Sequence, residues 1–346
     1  MGDVFRPEQE TNRLAALATA YHGGGLAAAR RRFPLAPEPW LDLSTGINAL
    51  PYACGGLSPE AFARLPEAEA IAKLEAAAAQ FFGLGAGAEC VAAPGTQSLI
   101  QLLPRLFPAQ DIALLDFTYA EHERVWALSG ARAQTRTRLD DLAQADVAIV
   151  VNPNNPDGRL VAADDLVALA HRRAARAGLL IIDEAFADFL PRAKSLSSHL
   201  PLPGAIVLRS FGKTFGLAGL RLGFALCGQD LARKLRAALG PWAVSGAAVE
   251  IGVKAYGDAR WLAQSAARLE QDGAHLDDLL RKAGFVVLGG TPLFRLARHD
   301  EAEKIFERLG AGGVLTRPFA GKPGWLRFGI PHRGEDFDRL AKILPG

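Results

Sequence analysis

The segment Ser210-Phe211-Gly212-Lys213-Thr214-Phe215-Gly216 follows an apolar run at residues 206–208, so Ser210 and Lys213 are expected to emerge at a strand end. An amine there can condense with an aldehyde. Ser210 and, further along, Arg221 can hold a phosphate, the arginine through its rigid fork of donors. Gly216, Gly219 and Gly223 let the backbone approach closely. A nucleotide-binding P-loop shares the Gly212-Lys213-Thr214 ending, but Val207 stands where that motif needs a glycine. The plain alternative is a turn carrying a surface lysine.

Asp183 closes a second apolar run at residues 179–182. A carboxylate there can pair with a protonated ring nitrogen and keep a heteroaromatic ring cationic, or simply cap a helix. In Val151-Asn152-Pro153-Asn154-Asn155-Pro156-Asp157-Gly158-Arg159, Asn155 can donate its amide to a phenolate-like ring oxygen. The same dipeptides also make ordinary turns. Gly95, Thr96 and Gln97 open a helical stretch that ends near Phe107, and the N–H groups of a helix start favour a phosphate. Tyr119 follows the run at 112–115 and can stack on an aromatic ring, although packing alone would also explain it. These groups follow one another along the chain, each just after an apolar run. That order is more informative than any one match.

The elements that position them alternate. Short apolar runs at 112–115, 147–151, 179–182, 206–208 and 222–226 read as buried strands, with helices at 120–128 and 162–177 between them. The pattern predicts an α/β fold with a mostly parallel sheet flanked by helices, whose ligands bind at the strands' carboxyl ends. Residues 59–82 read as a helix stopped by Gly83, and 33–52 as an irregular arm rich in Pro and Gly. A long helical region at 245–283, then strands at 285–288, 293–296 and 325–330, predict a smaller α+β domain. The expected division is an N-terminal arm (1–50), a large domain (51–235) and a small C-terminal domain (236–346).

The composition, 49% apolar and 22% charged over 346 residues, is that of a globular chain able to bury a large core. A net charge of +2 gives no sign of a nucleic-acid partner, and the run Arg30-Arg31-Arg32 reads as a solvated helix end. Cys54, Cys90 and Cys227 are too scattered for a disulfide framework or a metal site. No stretch is apolar enough to span a membrane, and the acidic N-terminus lacks a signal peptide's apolar core. A cytoplasmic protein with no metal, nucleic-acid or membrane partner is expected.

From residue 21 to about 330 the chain resembles the fold-type I pyridoxal 5'-phosphate (PLP) enzymes of the aspartate aminotransferase superfamily. The resemblance implies that Lys213 carries the cofactor, that Asp183 holds its ring nitrogen, and that Asn155 and Tyr119 contact its ring. It implies a phosphate site at Gly95, Thr96, Gln97, Ser210 and Arg221, and a substrate carboxylate held by Arg327. Within the superfamily, Tyr21-His22-Gly23-Gly24 and Asp42-Leu43-Ser44-Thr45-Gly46-Ile47-Asn48 are similar to arm segments of the threonine-phosphate decarboxylases of cobalamin biosynthesis. These are relatives of histidinol-phosphate aminotransferase. That branch implies His22, Gly23 and Ser44 near the substrate, and Arg159 and Arg317 near a substrate phosphate. It also fits Phe186, where aminotransferases usually carry a tyrosine.

The implied activity is decarboxylation of a small phosphorylated amino acid by a homodimer. Two alternatives are a histidinol-phosphate-type aminotransferase and a non-catalytic regulatory module of the same fold. Intact Lys213 and an arm motif that begins by Tyr21, leaving no helix-turn-helix before the fold, speak against the module. Which of Arg159, Arg317 and Arg327 takes phosphate and which carboxylate stays open. Leu65 replaces a tyrosine that in relatives precedes the equivalent of Pro66 and reaches the neighbouring subunit's cofactor, so that contact is in question.

Overall fold

A computed structural model of the chain describes residues 23–345. The arm contains a helix, Leu26–Arg32, whose last turn holds the three arginines, and a short strand β1 (Leu41–Asp42). The central sheet is built from β2 (Ala88–Ala93), β3 (Asp111–Leu115), β4 (Arg132–Arg136), β5 (Val147–Val151), β6 (Leu179–Asp183), β7 (Ala205–Ser210) and β8 (Gly223–Gly228). Its seven strands run in the order β2-β8-β7-β6-β5-β3-β4. Pairings between β4, β3, β5, β6 and β7 are parallel, while β8 runs antiparallel to both β7 and β2. The expected α/β class is therefore the observed one.

The apolar runs became strands because β5, β6 and β7 are buried along their whole length, with helices on both faces. Two strands had no such run. β4 (RAQTR) is a largely exposed edge, and β2 (AECVAA) is rich in alanine, a weak strand former. The expected helix over 59–82 is two helices, Glu60–Ala63 and Ala68–Phe82. Arg64 turns extended and ends the first piece, two residues ahead of Pro66. The second piece stops as expected at Gly83, which takes the left-handed cap conformation. The helical region at 245–283 is likewise two helices, Gly246–Gly257 and Ala259–Lys282. Asp258 ends the first and caps the second by accepting from the Trp261 N–H at 2.9 Å.

A smaller antiparallel sheet joins β9 (Val286–Thr291), β10 (Phe294–Arg298), β12 (Arg317–Pro318) and β13 (Trp325–Gly329) in the order β12-β13-β10-β9. Between β10 and β12 lies β11 (Val314–Leu315), which pairs in parallel with β1 and so ties the arm to this part of the chain. The helix Gly246–Gly257 follows the expected boundary at 235, yet Ala248, Val249, Ile251 and Ala255 join the core of the large sheet. None of the described helices is long and apolar enough to cross a membrane.

Candidate active site

Parallel strands end on one edge of the large sheet, and the polar residues that close the apolar runs converge there. A cavity of about 320 Å³ opens at that edge. Gly95, Thr96, Gln97, Tyr119, Asn155, Asp183, Ser210, Lys213 and Arg221 all line it. Gly23, Ser44, Arg317 and Arg327 line it from the arm and the small sheet.

Each element places its residue for a local reason. β2 ends at Ala93, and Gly95 then adopts a φ of 80° to start the helix Thr96–Leu106. That helix has no side-chain cap, so the donors of its first turn are left for a ligand. A Cβ on Gly95 would lie 2.6 Å from the Arg221 guanidinium, so glycine is what lets the arginine close over the helix start. Gly223 serves the same close approach, since its Cβ would meet the Thr96 nitrogen at 2.6 Å; Gly219 has open space around it. Ser210 ends β7, and Lys213 stands on the short helix Phe211–Thr214. Asn48, buried in the arm motif, grips that helix end: its N–H donates to the Lys213 carbonyl (2.9 Å) and its side chain to the Thr214 carbonyl (3.0 Å).

Asp183 closes β6 and is buried. The His122 Nε2 lies 2.9 Å from its carboxylate, and the Ala185 N–H donates to it at 3.0 Å. Burial pushes Asp183 up, but the His122 hydrogen bond, the charges of His122 and Lys213 and the Ala185 N–H outweigh it and hold the carboxyl below its ordinary range. Lys213 is lowered as well, but here burial is what prevails. Loss of water around the amine lowers it, Asp183 opposes that, and Arg327 and Arg221 add to the lowering. The amine also lies 4.9 Å from the centre of the Phe186 ring, which itself packs edge-on against Phe294.

Arg327 is 2% exposed and has no carboxylate partner among the described residues. It donates to the Asn155 side-chain oxygen at 2.5 Å and to the Ser44 carbonyl at 2.9 Å. Burial, then the charge of Arg317, lower it from the ordinary guanidinium range to about 9. The β12–β13 register makes Arg317 its direct cross-strand neighbour. Tyr119 donates to Gln97 Oε1 at 3.3 Å, and burial, then Glu121 and Asp183, raise its phenol to about 12.

His22 lies outside the described residues. Of the other expected residues, one stands apart. Arg159 is exposed, does not line the cavity, and donates to the Asp116 carbonyl. The Asp157 side chain accepts the Arg159 N–H at 3.0 Å, in a turn that leads the chain away from the site. Conversely, His122 was not expected. It lies inside an otherwise unremarkable helix, Ala120–Leu128, with Tyr119 just before it as the only pointer. Asn48 had been noted only as part of the arm motif.

The lining suits PLP. Four cations, Lys213, Arg221, Arg317 and Arg327, face one carboxylate, Asp183. The buried Arg327 guanidinium is costly to keep charged without an anion beside it, so the cavity favours anionic ligands. The uncapped helix start with Ser210 and Arg221 suits the cofactor phosphate, Lys213 its aldehyde, Asp183 its ring nitrogen, and Asn155 and Tyr119 its ring.

Comparison with known proteins agrees. The model of the family described as aminotransferase class I and II matches residues 56–344. The chain is 43% identical to a threonine-phosphate decarboxylase of Sinorhizobium sp, covering 94% of this chain and 98% of the relative. It is 39% identical to the threonine-phosphate decarboxylase of Pseudomonas aeruginosa, over 94% and 97% of the two chains. In fold it is similar to the histidinol-phosphate aminotransferase of Sinorhizobium meliloti, solved in complex with PLP. The TM-score is 0.76 at 21% identity, covering 100% of this chain and 97% of that one. The chain thus belongs to the class I and II aminotransferases, a PLP-dependent enzyme family, in the branch its threonine-phosphate decarboxylase relatives occupy.

Proposed function

We propose that the protein decarboxylates L-threonine O-3-phosphate to (R)-1-amino-2-propanol O-2-phosphate and CO2, a step of cobalamin biosynthesis, in the cytoplasm. The observation that carries this reading is the pairing of Arg317 and Arg327 across β12 and β13, on the cavity that also holds Lys213 and Asp183. A substrate with both a carboxylate and a phosphate offers one anion to each of these two guanidiniums. The names of the relatives at 43% and 39% identity support the same substrate.

When bound, PLP supplies an aldehyde for the substrate amine and a cationic ring that draws electrons from Cα. Asp183, kept ionised by His122, holds the proton on the ring nitrogen. Arg327, fixed by Asn155 and the Ser44 carbonyl, takes the carboxylate; Arg317, nearer the mouth, takes the substrate phosphate. Two fixed anion sites restrict rotation about the amine–Cα bond. That restriction decides whether the carboxylate or the proton is the group that leaves. Positioning of this kind is worth several kcal/mol, up to ~7–11 in well-oriented systems. Lys213 holds the proton that replaces CO2 on Cα, and its depressed affinity for protons suits it to amine chemistry.

We also propose that two copies pair. Phe62, Leu65 and Trp242 expose large apolar surfaces, as a face covered by a second copy would. Leu65 would then meet the partner through apolar contact, with no hydroxyl to offer.

The test is to incubate the PLP-loaded enzyme with L-threonine O-3-phosphate and follow CO2 and amine products. Stoichiometric CO2 with aminopropanol phosphate is expected. Amine transfer that depends on an added keto acid, without CO2, would make the protein an aminotransferase instead.

A further inference from the structure

Behind the cavity, on the reverse side of the large sheet, lies a buried ionic network that the reaction does not touch. Arg209 is 4% exposed and lies 2.7 Å from the Glu184 carboxylate. Its other terminal nitrogen is paired with Asp188. Asp188 in turn accepts from the Thr214 hydroxyl at 2.6 Å. Glu184 is held further by the Ser195 hydroxyl (2.5 Å) and the Leu196 N–H (2.7 Å).

Three members of the network are sequence neighbours of the site. Glu184 follows Asp183, Arg209 precedes Ser210, and Thr214 follows Lys213. Side chains alternate along β7, so Arg209, next to inward-facing Ser210, points to the back, where Glu184 pairs with it and Thr214 joins through Asp188. The network therefore joins the reverse faces of the segments that carry Asp183, Ser210 and Lys213. The helix bearing Lys213 is only four residues long, Phe211–Thr214. One turn does not sustain itself, because nucleation costs more than its single hydrogen bond returns. Outside anchors must hold it. Asn48 grips its carbonyls from the arm, and Asp188 grips its Thr214 side chain from behind.

Stability is a poor reason for such a network. Replacing a buried ion group by well-packed apolar residues is often neutral or stabilising, by about 1–4 kcal/mol. Rigid geometry is the better reason. We propose that Asp188 and Thr214, tied to Arg209 and Glu184, are positioning residues that fix the Lys213 amine relative to Asp183. Resting on the reading of Lys213 as the PLP-bearing residue, the assignment adds residues that never touch substrate or cofactor. The network's two carboxylates outnumber its one guanidinium, which leaves a negative charge behind the amine. The charges that act on Lys213 are Asp183, Arg327, Arg221 and Asp188.

The experiment uses the PLP-loaded full chain with Thr214→Val, Thr214→Ser and Asp188→Asn. It measures the melting temperature, the pH midpoint of the visible band of bound PLP, and kcat and KM separately. Thr214→Val is expected to keep the fold and KM within about 2-fold, and to lower kcat about 10- to 100-fold through loss of the buried hydrogen bond to Asp188. Thr214→Ser restores kcat. Asp188→Asn moves the midpoint to lower pH by about half a unit to one unit, since it removes a negative charge near the amine. If Asp188→Asn does not fold, the Val and Ser pair decides. The proposal is overturned if kcat and midpoint stay at wild-type values in folded variants, or if Thr214→Ser fails to restore what Thr214→Val loses. A wild type with no PLP bound at Lys213 would overturn the cofactor reading together with the proposal; unchanged variants of a PLP-bearing wild type overturn the proposal alone.

Discussion

Arg317 and Arg327 stand directly opposite each other on β12 and β13, two cations in register on the wall of one cavity. Like charges placed so are destabilising unless anions join them. If the substrate supplies two anions, Arg317→Ala should raise KM for L-threonine O-3-phosphate about 10- to 100-fold, the worth of charge-assisted hydrogen bonds of ~1.5–3 kcal/mol. Its affinity for PLP should hardly change. Steady-state kinetics with a PLP titration checks this, and equal weakening of both ligands would remove Arg317 from the substrate site.

The buried Arg327 makes a prediction for the ligand-free protein. Its folded-state value of about 9 lies well below the ordinary guanidinium range, so at alkaline pH the unfolded chain binds more protons than the folded one. Stability from this group must then rise with pH above about 9, with a slope of at most ~1.4 kcal/mol per unit. Denaturant unfolding of the ligand-free protein at pH 8 and pH 10 should show the gain in the wild type and a smaller one in Arg327→Met. Equal gains would mean that the guanidinium does not carry the strain assigned to it.

Asp183 and His122 act as a pair. Asp183→Asn should leave a folded protein that still binds PLP, with kcat lower by roughly 10²-fold or more, as for loss of a preorganised electrostatic contact. His122→Phe removes a donor that keeps Asp183 ionised, so its kcat should fall too, most steeply at the acid end of the pH profile. A flat pH difference between His122→Phe and wild type would separate His122 from that role.

Much of this site was legible because its polar residues close apolar runs. Asp183 after 179–182 and Ser210 after 206–208 could only lie at strand ends, and parallel strands bring their ends together. His122 was not legible, since a histidine inside a helix gives no sign of which way it faces. Nothing in the sequence singles out Arg209, because its network needs Asp188 and Ser195 from the loop between β6 and β7. Arg159 misled because its neighbour Asp157 forms a local turn that spacing alone does not show. β4 was missed because an exposed edge strand needs no apolar run.

The helix start at Gly95 can be tested apart from catalysis. Gly95→Ala puts a Cβ 2.6 Å from the Arg221 guanidinium at a φ of 80°. That positive-φ, extended-ψ backbone costs an ordinary residue roughly 1–3 kcal/mol, and Arg221 would have to move as well. PLP affinity should fall at least about 10-fold, with the melting temperature of the ligand-free protein reduced by only a few degrees. Unchanged PLP affinity would move the phosphate site elsewhere.

The most direct test of the whole account is chemical. Borohydride reduction of the PLP-loaded protein, followed by digestion and mass spectrometry, should place a reduced pyridoxyl group on the peptide containing Lys213, and Lys213→Ala should carry none. A pyridoxyl group on another lysine, or PLP bound with no covalent link in the wild type, would contradict it.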